Sequence, residues 1–597
     1  MSSKISTTPK KSRIPETVDG IQVNFCKNPT CLNFGRPAST ESQPKGSLTP
    51  SNKSRDSYVV VGSSGGAQKI ACKLCGEYPP IKSNLAISEE LERMTDYLLV
   101  RPEPSCPNLS CVNHDNNINT PKAYSKHGIS KGGSQRYRCL RCGTTFGVAA
   151  SSIRRQQKPE KNEYVFNVLL NKSPLKRICE VTKITMSTLY GKIDFIHQQC
   201  LAFVAEHERR IPELSLKRLY LSVDRQEYSV NWKQANDKRN IIIQALGCAD
   251  NRSSYVFGMQ VNYDASLDPK AINREAFNCG DMLLKPAYRR FARLWLYQDY
   301  VYTTRERNKG GKALGEAIRD TYKEAMERPD IEEYDGPTLE KCLPQQGMQV
   351  HADYTLYGFF FFLKDILRNV EKVRFYMDQE SGIRAACFSA FWQEVLEKRC
   401  DAFYVKIDKD LTVNEKRKLK ADSLKQLNAL RDSDPALDLL TDHDLRLLVI
   451  KEHLDDLVKM GRWQDRWMFY PFPDMSEPMK AICWLTDLQD QAYDADHLAR
   501  LYSKATLHGI DRFFMQVRRR ISLLERPISS ASNEGRKWFG YSPYNPEIIG
   551  KMLDILRVFY NYVEPGDDKK TPAMRLGLTN AITTHAEILS YQSNRCS

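Results

Sequence analysis

Two short stretches decide the fold, Leu219-Tyr220-Leu221-Ser222-Val223-Asp224 and Val373-Arg374-Phe375-Tyr376-Met377-Asp378. In the first, Leu219, Leu221 and Val223 alternate with Tyr220, Ser222 and Asp224. That period of two is the mark of a strand, and it puts Asp224 on the face opposite the leucines. In the second, Val373, Phe375 and Met377 alternate in the same way up to Asp378. Working outward, Asn240 to Leu246 and Tyr255 to Val261 read as strands that continue the first into an antiparallel meander. Tyr354 to Leu367 and Ile383 to Leu396 read as helices, and Phe403, Val405 and Ile407 mark a fifth strand.

Three strands, helix, strand, helix, strand is the element order of an RNase H-like α/β domain. A chain of 597 residues is too long for that domain alone, so several folded units are expected. With 41% hydrophobic and 27% charged residues it is neither mainly disordered nor collagen-like. No apolar run reaches the roughly 18–20 residues of a membrane helix, and Met1 to Thr17 has no apolar signal core. The reading is a soluble, intracellular protein with no membrane partner. Arg305 to Lys312 lacks the spacing of a phosphate-binding P-loop.

Charge separates the chain into two parts. Residues 1–210 carry 31 basic and 17 acidic side chains, and 121–192 carry 15 against 3, while the remaining 387 residues are nearly neutral. A basic block joined to a neutral body suits a polyanion-binding module.

Eight of the 17 cysteines form two matched quartets. Cys26 and Cys31, then Cys72 and Cys75, make one; Cys106 and Cys111, then Cys139 and Cys142, make the other. Each is a C-x4-C loop followed by C-x2-C-G, and Asn33 and Asn113 recur two residues after the second cysteine. Paired thiolates on short turns suit one structural Zn2+ per quartet, so two zinc ribbons are expected. Gly76 and Gly143 suit the positive φ of such turns. His114 and His127 lie near enough in sequence to substitute as ligands, but four thiolates already suffice. Segment 36–70 reads as a flexible loop, and Arg136 and Arg138, on the hairpin edge of the second ribbon, are candidate phosphate contacts.

From 162 to 205 the period becomes helical. Tyr164, Val165, Val168 and Leu169 form one stripe, Ser173-Pro174 opens a second helix, and Thr185 or Ser187 caps a third. A helix-turn-helix unit results, with Ser187, Thr188, Tyr190 and Lys192 expected to face outward toward a DNA groove.

These motifs resemble bacterial insertion-sequence transposases of the DDE class. Leu221-Ser-Val-Asp224 looks like the family's first strand-borne aspartate, and Phe375-Tyr-Met-Asp378-Gln-Glu-Ser-Gly is similar to its second. Ile510-Asp511-Arg-Phe-Phe-Met-Gln-Val-Arg-Arg-Arg520 fits the third position, with Asp where the family carries Glu. The ending, Phe559-Tyr-Asn-Tyr562 and Thr571-Pro-Ala-Met-Arg-Leu-Gly577, is similar to that of many integrase-like members.

The resemblance implies a transposase working on double-stranded DNA, at element ends and target, as a homo-oligomer on that DNA. It also implies Asp224, Asp378 and Asp511 as catalytic ligands of two Mg2+ or Mn2+ ions, and a bacterial cytoplasmic, nucleoid-associated location. Hard cations want such carboxylate oxygens, and close anions otherwise repel. Arg518 and Arg519, beside Asp511, are candidate DNA contacts.

Gaps of 154 positions between Asp224 and Asp378 and 133 between Asp378 and Asp511 imply insertions near 265–348 and 411–500, both rich in charged helix-formers. The whole is a multidomain α+β and α/β chain: a disordered basic tail (1–20), two zinc ribbons (21–100 and 101–160), the helix-turn-helix (161–210) and the RNase H-like catalytic domain (211–597). Glu525 and Glu534 are the alternative third carboxylates, and His351 with Asp353 reads as a helix cap rather than a metal pair. Two other functions use the same residues, a domesticated non-catalytic DNA-binding regulator and a metal-dependent nuclease without strand transfer.

Overall fold

The computed structural model describes residues 12–41, 56–62, 68–99, 104–129, 135–148, 156–230, 241–300, 343–380, 382–408, 411–461, 464–487, 493–525, 528–529, 537–538 and 545–591. Strands β1 (Tyr58–Val61) and β2 (Lys69–Cys72) form a hairpin, followed by helix α1 (Asn84–Thr95). An antiparallel triplet comes next: β3 (Tyr124–Ile129), β4 (Gln135–Cys139) and β5 (Thr145–Val148). Helices α2 (Asn162–Leu169), α3 (Leu175–Thr182) and α4 (Met186–Arg209) follow. Thr185 caps α4 by accepting from the Thr188 amide. At α3 the expected Ser173 cap is replaced by Pro174, with no side-chain bond.

The meander is β6 (Arg218–Val230), β7 (Ile241–Asp250) and β8 (Val256–Val261). A short pair, β9 (Tyr263–Asp264) with β10 (Met348–Gln349), closes the 265–348 insertion around α5 (Pro269–Asn278). Then come α6 (Ala352–Ile366), β11 (Lys372–Asp378), α7 (Ile383–Ala390), α8 (Trp392–Leu396) and β12 (Cys400–Asp408). The helix expected over Ile383 to Leu396 breaks at Phe391, whose ring is buried against Phe375 at 4.9 Å.

The 411–500 segment corrects the expectation of a helical insertion. Helices α9 (Val413–Ser433) and α10 (Asp442–His453) are present, but β13 (Val458–Met460), β14 (Asp465–Phe469) and β15 (Met479–Trp484) follow them. These strands add to the edge of β12, giving one mixed sheet of order β13-β14-β15-β12-β11-β6-β7-β8. Their apolar residues alternate too weakly to stand out beside the charged helices. The chain ends with α11 (Ala495–Ser503), α12 (His508–Arg520) and α13 (Pro546–Val558), among shorter elements.

Within the sheet β6 runs parallel to β11 and β11 parallel to β12, while the other neighbours are antiparallel. On one face α6 buries Phe359, Phe360 and Phe362, with Phe360 edge-on to Phe375 at 5.5 Å. Each such ring contributes about 1.5–3 kcal/mol by leaving water. On the opposite face α12 buries Ile510, Phe514 and Val517, the inward stripe that its sequence spacing expects.

The N-terminal parts differ in how they join this body. Ile14 of the expected tail is fully buried, and Arg13 pairs with Asp56 at 2.8 Å, so this part of the tail is packed while Glu16, Thr17, Asp19 and Gly20 are exposed. Residues 1–11 lie outside the described residues. The loop expected over 36–70 contains β1, while 42–55 and 63–67 again lie outside the described residues. Helix α4 is bolted to α13 through Glu208 and Arg557, both buried, at 2.5 Å, with Tyr255 donating to the same carboxylate at 2.9 Å. Replacing Arg557 by Met should cost about 3–5 kcal/mol, because Glu208 is left buried without its cation. Urea unfolding at neutral pH measures that loss.

Candidate metal centres and nucleic-acid interface

Each cysteine quartet converges in space, and the four Sγ atoms of each lie within 4.8 Å of one another. In the first, Cys26 and Cys75 are 3.4 Å apart and Cys31 and Cys72 3.7 Å. In the second, Cys106 and Cys142 are 3.4 Å apart and Cys111 and Cys139 3.8 Å. Four thiolates at about 2.3 Å from one ion stand about 3.8 Å apart, whereas a disulfide would need about 2.05 Å. Both quartets therefore fit a tetrahedral zinc ion, and Gly76 and Gly143 carry φ of 74° and 75° in the CxxC turns. His114 is turned away, with Nδ1 2.8 Å from the Cys106 carbonyl.

The sequence echo around the quartets has a physical basis. Asn33 donates to Cys72 Sγ at 3.2 Å and Asn113 to Cys139 Sγ at 3.4 Å. Donors to sulfur stabilise thiolate, the form that binds metal. The Thr144 hydroxyl and amide likewise hold the Cys142 thiol down to about 6. A second echo went unread in the sequence: Tyr58 and Tyr124 accept from the amides of Cys26 and Cys106 at 2.9 and 2.8 Å. Their spacing from the cysteines differs between the two quartets, which hides the match.

The third centre is acidic. Parallel pairing sets Met377 beside Val223, so Asp378 ends β11 one step further on, level with Asp224 of β6. Asp224 is 7% exposed, and its carboxylate accepts from the Arg225 amide at 2.7 Å. Asp378 accepts from the Gln379 amide at 2.9 Å. The carboxylates of Asp224, Asp378 and Glu380 have oxygens within 4.8 Å of one another. Glu380 is also ion-paired to Arg225. Three anions this close, with one guanidinium beside them, form a set of hard oxygen donors suited to a divalent cation. Glu380 was not singled out in the sequence, although its place two residues after a strand-terminal Asp was the available signal.

Asp511 lies in the first turn of α12 on the Ser222 and Asp224 face. Three amides at the start of that helix are fixed: Leu507 to Glu477 at 3.0 Å, Gly509 to Asn251 at 3.0 Å and Ile510 to Ser222 at 3.0 Å. The Ile510 side chain covers Gly247, the cross-strand partner of Asp224, and a Cβ there would stand 2.6 Å from it. These contacts seat the first turn of α12 on the sheet, but Asp511, expected as the third carboxylate, is not among the mutually close acids; Glu380 takes that place. Glu525 is exposed and pairs with Lys172 at 2.8 Å, away from the trio, and Glu534 lies outside the described residues. His351 stands at the N-cap of α6 without a side-chain cap bond, its ring 4.7 Å from that of Trp295.

Among the expected DNA contacts, Ser187 and Tyr190 are exposed on the first turns of α4 and Thr188 is half-buried. Lys192 corrects the reading. It is 2% exposed, and its ammonium donates to the carbonyls of Gln157 and Lys158 and to Asn162 Oδ1 at 2.7–3.0 Å. Its long stem folds back under the helix, so it braces the trihelical unit from within. Arg136 and Arg138 alternate outward on β4, Arg519 is exposed and Arg518 half-buried on α12. The Arg305 to Lys312 segment lies outside the described residues.

The chain matches no known family profile, and a search of curated proteins finds no match. The site must therefore be read from its own geometry. Metal analysis of the purified chain should find two Zn2+, one per quartet. Asn33→Ala or Asn113→Ala should keep both ions but weaken one of them about 10-fold, measured by competition with a chelator.

Proposed function

We propose that the chain is a DDE-type DNA transposase, a metal-dependent enzyme that binds element ends and cleaves and joins DNA strands. The observation that carries this reading is the convergence of Asp224 and Asp378, on the central parallel strands, with Glu380 two residues beyond the end of β11. The inner order β8-β7-β6-β11-β12, with three antiparallel strands and two parallel ones, is that expected of an RNase H-like domain.

Asp224 and Asp378 would hold the divalent cations, Mg2+ or Mn2+, with Glu380 or Asp511 as the third carboxylate. Bound there, the cations supply Lewis-acid stabilisation to the phosphoryl oxygens of a scissile strand. The protein's own groups do the rest. Arg225 limits the repulsion among the acids and holds Glu380. Arg518 and Arg519 offer positive charge to phosphates on the α12 side. Ser187, Thr188 and Tyr190 face a duplex groove, and Arg136 and Arg138 engage its backbone. Element ends and target are both double-stranded DNA, and pairing of two ends calls for a homo-oligomer on that DNA.

Separate Asp224→Asn, Asp378→Asn, Glu380→Gln and Asp511→Asn variants test the reading on labelled element-end DNA with Mn2+. Asp224→Asn and Asp378→Asn should lose cleavage and strand transfer while keeping end binding. The third ligand is whichever of Glu380 and Asp511 cannot be replaced. Full activity in all four variants would overturn the assignment.

A further inference from the structure

The two cysteine quartets share one sequence pattern but sit in opposite surroundings. The second has a small core of its own, Cys106, Cys111 and Cys139 against Tyr124, and Cys142 is exposed. The first is wedged into the body. Gly35, at φ +73°, lies so close to the Trp392 indole that a Cβ would stand 2.2 Å from Cε3. Phe25 meets the same ring edge-on at 6.3 Å, and Phe34 meets Phe388 at 5.7 Å. Phe388 and Trp392 belong to α7 and α8, the helices that follow Asp378 and Glu380.

A second contact reaches the same turn from another side. Asn24, two residues before Cys26, brackets Lys82, donating to its carbonyl at 3.0 Å and accepting from its amide at 2.9 Å. Lys82 in turn donates to Asp353 Oδ2 at 2.6 Å. The other oxygen of Asp353 lies 3.5 Å from where a Cβ on Gly382 would be, and Gly382 is the N-cap of α7. Asp353 also interacts electrostatically with Arg225, the residue paired with Glu380.

We propose that the first four-cysteine module is a positioning element for the acidic centre. Metal in the Cys26, Cys31, Cys72 and Cys75 quartet fixes Phe34, Asn24 and Lys82, and through them the turn that carries Asp378 and Glu380. Beyond the apolar packing of Ile14, Tyr58, Ile70 and Ile81, the metal would tie the Cys26–Cys31 turn to the Cys72–Cys75 turn, so its loss frees one from the other. Mutually repelling carboxylates depend on what surrounds them for their spacing. Cation affinity at the acidic centre therefore follows metal in the first quartet and is independent of the second. Lys82 is a positioning residue that touches no carboxylate of the trio. The proposal rests on the reading of the trio as a cation site.

The test is Mn2+ titration of the full-length chain by electron paramagnetic resonance, with zinc analysis on the same samples. Lys82→Met should keep both zinc ions. It should weaken Mn2+ about threefold, the scale of a partly exposed ion pair, and Lys82→Arg should restore it. Gly35→Ala should also keep its zinc while weakening Mn2+, because the indole and α8 must move. Cys31→Ser should lose one zinc and Mn2+ binding together. Cys111→Ser should lose one zinc and bind Mn2+ as the unaltered chain does.

Unchanged Mn2+ affinity in Lys82→Met and Gly35→Ala, or equal losses in Cys31→Ser and Cys111→Ser, would overturn the proposal alone. An unaltered chain that takes no Mn2+ would overturn the acidic-centre reading and this proposal with it.

Discussion

Repulsion among three carboxylates is the constraint around which the body is organised. Asp224, Asp378 and Glu380 bring their oxygens within 4.8 Å of one another, an arrangement no unfolded chain would hold. For Asp224 and Asp378 the backbone ladders impose it, and the ion pair with Arg225 holds Glu380. Parallel pairing of β6 with β11 brings together residues 154 positions apart in the sequence, and β7 and β12 flank that pair so that neither strand can slip. A slip of one residue would send the acids to the opposite face. The large buried surfaces on both sides of the sheet are thus what keeps the charges together.

The helix opposite this pair shows the same economy. Gly247, facing Asp224 across the ladder, leaves a gap that Ile510 fills. Ser222, Asn251 and Glu477 each accept an amide at the start of α12. Donors that a helix start would otherwise leave to solvent instead fix its position. These contacts fix the first helical turn, the one that contains Asp511.

Much of this was legible in the sequence, and the reasons differ from residue to residue. Leu219 to Asp224 and Val373 to Asp378 announce their strands because one face is apolar throughout and the other ends in an acid. The cysteine quartets announce themselves by repetition. Lys192 was misread because position on a helical wheel says where a side chain starts and not where a four-carbon stem can carry its charge. Strands β13 to β15 were missed because each is short and every residue of β13 is exposed. Glu380 was passed over because a loop residue has no period to betray it. Tyr58 and Tyr124 were invisible because their partnership with the cysteines is spatial, not sequential.

Helix α4 runs unbroken for 24 residues from an exposed first turn to the buried Glu208. From Ser187 to Glu208 that is about 32 Å of helix, at roughly 1.5 Å per residue. One turn of duplex DNA is about 34 Å. The helix is stiff over that distance, and its inner end cannot swivel, since His197 meets Asp554 at 2.9 Å and Lys551 meets Asp194 at 2.5 Å along the way. It behaves as a gauge rod. Whatever rests on its outer end is held at one set offset from the body, and lengthening the helix by a single residue would both push that end outward by about 1.5 Å and turn it by about 100°.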